Sequence, residues 1–92
     1  MTIPPTPMRR VAITYWGGAR AAVGAKSETV TAHSIADALD QVLSAHGSGT
    51  DLGRILQVSS VLVDGVALRR DRWGEVLRSD VDVEVLPPVA GG

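Results

Sequence analysis

Hydrophobic and polar residues alternate in two segments of the chain, and a third segment has a weaker form of the same pattern. Residues 11–16 (VAITYW) place a valine, an isoleucine and a tyrosine on one face of a predicted strand and Trp16 on the other. Residues 81–86 (VDVEVL) direct three valines inward and Leu86 outward. Residues 27–32 (SETVTA) predict a short strand that pairs antiparallel with the first one, because the two lie close in sequence.

One segment has a clear helical pattern. Ser34 is a natural N-cap, and Asp37 adds negative charge to the first turn, where the helix dipole favours it. Apolar residues then recur at helical spacing and form one stripe: Ile35, Ala38, Leu39, Val42 and Ala45. Gly47 stands where a left-handed C-cap is expected to end the helix.

The remaining segments predict connections and a hairpin. Residues 19–28 (ARAAVGAKSE) are expected to form a connection with a turn at Gly24. Residues 48–57 predict a loop holding one turn of helix, whose Leu52, Ile55 and Leu56 fill the core. Residues 59–68 (SSVLVDGVAL) predict two strands joined by a type I′ turn at Asp-Gly.

This order of elements predicts a two-layer α+β domain. An amphipathic helix needs a sheet face to cover, and the expected sheet is mixed, with four or five strands packed on one main helix. Residues 1–9 are expected to form a disordered lead-in, residues 10–87 the folded domain, and residues 88–92 a flexible tail with a function. Pro87 and Pro88 end the last strand because neither has an N–H group for the ladder.

Composition narrows the classes of function. The chain has 92 residues, of which 45% are hydrophobic and 21% charged, as in a folded domain with one core. A net charge of −1 argues against a nucleic-acid partner, and no apolar run reaches membrane-spanning length. The N-terminus has no signal sequence, so a cytoplasmic protein is expected. The absence of cysteine excludes disulfides, thiolate metal sites and cysteine nucleophiles.

Two other groups of residues are weighed as candidate sites. His33 and His46 lie at opposite ends of the predicted helix, too far apart to share a metal, so no metal site is expected. The segment RRDRW at residues 69–73 has the charge and the aromatic ring that RNA contact uses. A solvated turn with Trp73 folded over the edge of the core is the favoured interpretation.

Three segments together carry a resemblance to a known family: TYWGGARAAVG, LVDGVAL and DVEVLPPVAGG. With the order of elements, they resemble the ubiquitin-like β-grasp proteins, and among these the bacterial sulfur carriers, most of all the small subunits of molybdopterin synthase. The resemblance covers residues 11–92. The chain departs from the family in having no phenylalanine, and Tyr15, Trp16 and Leu86 occupy the places where relatives often have aromatic residues.

The resemblance implies a function for the chain end. An activating enzyme would use ATP and magnesium to adenylate the carboxylate of Gly92, and a sulfur donor would convert it to a thiocarboxylate. The tail would then enter the large subunit of molybdopterin synthase, in an expected heterotetramer, and give sulfur to a cyclic pyranopterin precursor. The chain would bind no cofactor and would not be an enzyme on its own.

The composition of the tail suits this chemistry. Gly91 and Gly92 have no Cβ, so their backbone fits a narrow slot. Residues 89–92 span roughly 13 Å when extended. Pro87 and Pro88 stiffen the base of the tail and reduce the entropy lost when it is threaded.

Docking residues are expected beside this tail. Trp16 and Leu86 are predicted to face away from the core on adjacent strands, where relatives have an apolar docking patch. Arg20 is a candidate for an ion pair at the rim of the interface. The residues that lead to the glycines complete the expected partner-binding set: Pro87, Pro88, Val89 and Ala90.

Other functions for the same tail stay open. A carrier of this design delivers sulfur to cysteine or to thiazole in thiamine biosynthesis. A ubiquitin-like modifier is joined to lysines through the same glycine. A plain binding module would have an inert tail.

Overall fold

In the computed structural model of the chain, residues 7–88 are described. The five strands are β1 (Arg9–Tyr15), β2 (Ser27–Ala32), β3 (Ser60–Val63), β4 (Val66–Ala67) and β5 (Val81–Leu86). The three α-helices are α1 (Gly17–Val23), α2 (Ile35–His46) and α3 (Leu52–Val58), and a 3₁₀ turn covers Arg70–Arg72. β1 begins at Arg9, one residue inside the segment that was expected to be a lead-in.

The strands form one mixed sheet in the order β2-β1-β5-β3-β4. The β1–β2 pair is antiparallel, as the sequence predicted, and so are the β3–β4 and β3–β5 pairs. β1 and β5 run parallel, with Tyr15 opposite Val85. Parallel strands end at the same edge of a sheet, so the chain leaves β5 beside the point where it leaves β1.

The core lies between one face of this sheet and the helices. The inward residues of β1 and β5 are at most 1% exposed: Val11, Ile13, Tyr15, Val83 and Val85. The predicted stripe of α2 packs over them through Ile35, Ala38, Leu39 and Val42. The prediction was wrong for Ala45, which is exposed in the last turn of the helix. Burying each large apolar side chain stabilises the fold by about 1.5–3 kcal/mol relative to its exposure, so this layer is the main source of stability.

The ends of α2 differ in how well the sequence predicted them. Ser34 Oγ accepts a hydrogen bond from the Asp37 N–H at 3.0 Å, which confirms the N-cap. Gly47 is not left-handed, because its φ is −77° and its N–H bonds the Leu43 carbonyl at 2.7 Å. A steric restriction at this position explains the glycine instead. A Cβ there would stand 2.5 Å from the Leu43 carbonyl oxygen.

The expected connection after β1 is in fact helix α1. Ala19 and Val23 lie one turn apart and are both buried, so this short helix has an apolar face of its own. The turn at Gly24 is present, and it ends the helix with φ at 81°, a conformation that favours glycine. The Asp64–Gly65 hairpin turn is confirmed, because both residues have positive φ, 50° and 83°.

The RRDRW segment is built into the fold. Trp73 packs against the core, and its indole Nε1 donates to the Leu68 carbonyl at 3.1 Å. The predicted solvated turn is confirmed, because the four charged residues at 69–72 are exposed. The exposed Arg70 is nevertheless held in place, since its guanidinium donates to the carbonyls of Leu56, Gln57 and Ser59 at the end of α3. Its carbon Cζ lies 4.1 Å from the centre of the Trp73 ring. This segment therefore joins the end of α3 to the core.

Within residues 7–88, none of the helices has both the length and the apolar character to cross a bilayer.

Candidate docking site

The tail itself lies only partly within the described residues. Pro87 and Pro88 follow β5 directly and are described. The predicted reactive glycines and the residues before them lie outside the described residues: Val89, Ala90, Gly91 and Gly92. The site that the structure does show is therefore the surface from which residues 89–92 extend.

The parallel pairing of β1 with β5 brings two sequence-predicted residues together. Trp16 follows β1 directly, and its backbone N–H donates to the Val85 carbonyl at 3.2 Å. Leu86 is the last residue of β5 and lines the same surface as Trp16. Trp16 is 43% exposed, an unusual exposure for the largest apolar side chain.

These residues line one groove, here called the tail-base groove. It has a volume of about 660 Å³. One side comes from Trp16 and the first turn of α1, a second from the end of β5 and the base of the tail, and the third from α3. The lining residues are Trp16, Gly17, Gly18, Ile55, Val58, Leu86, Pro87 and Pro88. None of these side chains carries a charge, so the groove has an apolar surface.

Sequence reasoning missed Gly17 and Gly18 at the start of α1, and it missed the side chains of Ile55 and Val58 in α3. The sequence placed Ile55 in the core, where it does pack in part, and assigned no role to Val58. Val58 is 59% exposed. The approach of α1 to α3 fixes this wall, since a Cβ added to Gly18 would meet Ile55 Cδ1 at 3.7 Å. The sequence holds no signal for this wall, because the spacing of Ile55 and Val58 does not give the rotation of α3 in the fold.

Charged side chains near the groove hold Trp16 in place. Its indole Nε1 donates to Glu84 Oε1 at 3.1 Å. The Arg20 guanidinium lies 5.2 Å from the centre of the indole ring, within cation–π range, and its Nε donates to the Tyr15 carbonyl at 3.1 Å. The predicted rim residue Arg20 is therefore beside the groove and oriented by Trp16 and β1.

A polar cluster lies behind this edge of the sheet. The hydroxyl of Tyr15 donates to Glu28 Oε1 at 2.7 Å, and His46 Nε2 lies 3.0 Å from Glu28 Oε2. Burial, together with the hydrogen bond to Glu28 and its negative charge, raises the pKa of Tyr15 far above its usual value. The cluster thus connects β1, β2 and the end of α2, and it lines no part of the groove.

The two histidines lie apart, as their positions in the sequence predicted. His33 Nδ1 is 3.3 Å from the Pro7 carbonyl, while His46 contacts Glu28. In the described part of the chain, the acidic and histidine side chains form no group of three or more that could hold a metal ion.

Comparison by sequence gives no match: no family model matches the chain, and neither does any curated protein. Comparison by structure does. Small archaeal modifier protein 1 from Methanosarcina acetivorans superimposes with a TM-score of 0.76 and 19% identity, over 92% of this chain and 98% of that one. The protein of the same name from Haloferax volcanii gives 0.72 and 22%, over 90% and 99%.

A third similar structure is a complex of subunits 1 and 2 of molybdopterin-converting factor from Helicobacter pylori, whose matched chain gives a TM-score of 0.60 at 18% identity, over 90% of this chain and 99% of that chain. At these identities a likeness in structure establishes the fold. The mixed sheet with parallel first and last strands, covered by one main helix, agrees with it. The chain therefore has the ubiquitin-like β-grasp fold, as its sequence predicted.

Proposed function

We propose that this protein is a sulfur carrier whose reactive group is the carboxylate of Gly92. One observation carries the proposal: the last strand ends at an apolar groove, with Pro87 and Pro88 forming part of its wall. The sequence that follows, VAGG, is narrow and has no charged side chain. A partner that covers the groove is thus well placed to take the chain end into a cavity of its own.

The proposed chemistry has two steps. The Gly92 carboxylate attacks the α-phosphate of ATP in an activating enzyme, and pyrophosphate leaves. Hydrosulfide, or its equivalent released by a sulfur donor, then attacks the acyl carbon of the adenylate; the bond from that carbon to the AMP oxygen breaks, AMP leaves, and a thiocarboxylate remains on Gly92. The reacting atoms must come within about 3–3.5 Å of one another, away from water, which a thin tail in a buried slot achieves.

The proposed acceptor is a cyclic pyranopterin precursor in the synthesis of molybdopterin. The thiocarboxylate would enter the large subunit of molybdopterin synthase, and this chain would contribute no catalytic side chain. The similarity to a structure described as a complex of two molybdopterin-converting factor subunits supports this acceptor. The expected setting is the cytoplasm, with ATP and magnesium consumed by the activating enzyme. Carriers that supply sulfur to cysteine or thiazole share the first two steps and differ only in the acceptor.

Intact mass measures the first product directly. After co-expression with a ubiquitin-activating-type enzyme and a sulfur donor, we expect the mass to rise by the difference between one sulfur and one oxygen. Mixing this form with a synthase large subunit and the precursor is expected to yield molybdopterin. No mass gain with any such enzyme would contradict the carrier function.

Removal of Gly92 is the sharpest test in the chain itself. The deletion is expected to abolish thiocarboxylate formation, because the shortened chain end no longer brings its carboxylate to the reactive position in the activating enzyme. The melting temperature should not change, because residues 89–92 follow the last strand. Addition of one residue after Gly92 serves as the matched variant, with the same expected loss. Sulfur transfer from either variant would refute the mechanism.

A second candidate function is protein modification. The likeness to two small archaeal modifier proteins favours it. Lys26 is the only lysine of the sequence and is exposed. Conjugates of one copy to the side chain of another would therefore use Lys26. A ladder of higher-mass species that disappears in Lys26→Arg, while the thiocarboxylate still forms, would show self-conjugation through this residue.

A further inference from the structure

We propose that α3 forms a second wall of the docking site, and that the tail-base groove receives apolar side chains from the protein that accepts the chain end. The inference rests on the proposed function and adds a residue to it. Partner docking would depend on Val58 as well as on the strand residues. The partner would insert a ridge of aliphatic or aromatic side chains between α3 and the base of the tail.

The first argument is the distribution of apolar residues on α3. Leu52 and Leu56 are buried in the core, at 0% and 7% exposure. Ile55 is half-buried beside them and also lines the groove, and the exposed Val58 extends this apolar surface away from the core. A surface helix normally has one apolar stripe and a polar outer face. The exposed Val58 at the edge of this stripe adds little to the stability of this chain, and contact with a partner provides a reason for it.

The second argument concerns charge. Charged atoms near the groove are already engaged: Glu84 accepts from the indole of Trp16, and Arg20 stacks on its ring and donates to the Tyr15 carbonyl. Arg54, on the outer side of α3, pairs with Asp51 at 3.5 Å. The lining offers a charged or strongly polar ligand no counter-charge, whereas an apolar occupant would lose little hydration on entering.

The third argument is position and size. Pro87 and Pro88 form part of the groove, so a protein that takes residues 89–92 into its own cavity must also cover it. The groove of about 660 Å³ is several times the roughly 150 Å³ that accommodates one benzene molecule, so it has room for a group of side chains. Residues 89–92 of this chain offer only one valine and one alanine side chain, a poor match for that space.

Val58 allows a clean experiment because it is exposed and at the end of α3. Affinity for the cognate synthase large subunit would be measured by calorimetry for the full chain and for Val58→Lys and Val58→Glu. Both variants are expected to bind about tenfold more weakly or worse, because each places a charge in an apolar contact. Val58→Ile, which keeps the apolar contact, is expected to bind as the parent does.

Val66 is the matched control. It is 69% exposed, it lies on the edge strand β4, and it does not line the groove. Val66→Lys and Val66→Glu are expected to bind within about twofold of the parent, as is usual for residues outside an interface. Thermal unfolding of each variant shows whether a change in affinity is simply a loss of folded protein.

The inference would be overturned if the Val58→Lys and Val58→Glu variants bound as the parent does, if the Val66 variants were weakened equally, or if only one of the two charges at Val58 weakened binding. A dimer of the parent chain that Val58→Lys dissociates would identify a second copy as the occupant, and would also overturn it. A change in tryptophan fluorescence on deletion of residues 89–92 that is absent in the Trp16→Phe background would identify the chain's own tail as the occupant, and would likewise overturn the inference. Loss of the mass gain in the parent would instead contradict the carrier function, so the two failures are distinct.

Discussion

The two tryptophans of this protein have similar neighbours and opposite surroundings. Each indole N–H donates one hydrogen bond of 3.1 Å, and each ring has an arginine guanidinium over its face. Trp73 donates to a backbone carbonyl and packs against the core. Trp16 donates to the side chain of Glu84 and is 43% exposed. Near-identical local contacts therefore hold one ring half-buried against the core and leave the other on the surface.

The partners of the two arginines explain the difference. Arg70 donates to three backbone carbonyls of α3 and the residues after it, so it links Trp73 to another element of the fold. Arg20 donates to one carbonyl, that of Tyr15, within the strand that Trp16 already follows. The Trp73–Arg70 pair closes a tertiary contact, whereas the Trp16–Arg20 pair only orients a ring. We infer that the first pair serves stability and the second recognition.

Substitution of the two tryptophans should give the largest difference between a role in stability and a role in binding. Trp73→Ala is expected to lower the free energy of unfolding by about 2–4 kcal/mol, because it leaves a void at the edge of the core. Trp16→Ala is expected to cost less than about 1 kcal/mol and to weaken binding to the synthase large subunit at least tenfold. Urea unfolding and calorimetry measure the two effects. A Trp16→Ala variant that binds normally would remove this ring from the docking surface.

The arginines should repeat the contrast with a smaller effect. Arg70→Met keeps much of the stacking area and loses the donors to three carbonyls, so a loss of about 1–2 kcal/mol is expected. Arg20→Met is expected to change stability by less than about 0.5 kcal/mol. Thermal unfolding of both variants under one set of conditions gives the comparison. Equal losses would mean that Arg20 also holds the fold together.

Substitution of Tyr15, the last residue of β1, measures how much its side chain stabilises the strand that leads to Trp16. Tyr15→Phe removes the hydrogen bond to Glu28 and is expected to cost about 1 kcal/mol at neutral pH. Burial raises the pKa of Tyr15, so the folded state favours the neutral phenol. The stability that this pKa shift contributes is complete below about pH 10, the pKa of tyrosine in the unfolded chain, and it is lost as the pH rises above that value.

The control for that prediction is the pH dependence of the difference between the two proteins. Tyr15 is the only tyrosine of the chain, so no other phenol titrates in the same range. The gap in stability between the parent and Tyr15→Phe should narrow above about pH 10, as measured by urea unfolding. A gap that stays constant to high pH would show that Tyr15 ionises equally in the folded and unfolded states.

Much of the fold was readable from the sequence because its patterns are local. The alternation of residues 81–86 and the Asp64–Gly65 turn each depend on neighbouring positions. The N-cap Ser34 acts within its own helix. The contact of β1 with β5 joins residues about seventy positions apart, so their adjacency was expected only from the resemblance to a family, and the structure supplied their parallel direction.

The features that the sequence did not reveal depend on contacts between distant elements. Helix α1 begins with two glycines, which are poor helix formers, and it forms because Ala19 and Val23 are buried. The exposed position of Val58 depends on how α3 packs, and no periodicity gives that rotation. The same holds for Arg70, whose three acceptors become neighbours only once α3 has packed.

The central place of β5 in the sheet has a consequence for synthesis. β5 pairs with both β1 and β3, yet a ribosome makes it after every other strand. Until it is available, β1–β2 and β3–β4 are two separate hairpins with no common sheet, and Trp16 has neither Val85 nor Glu84 to bond. A chain that stops before residue 81 can build neither the sheet nor the groove, so a prematurely ended product cannot compete for the partner.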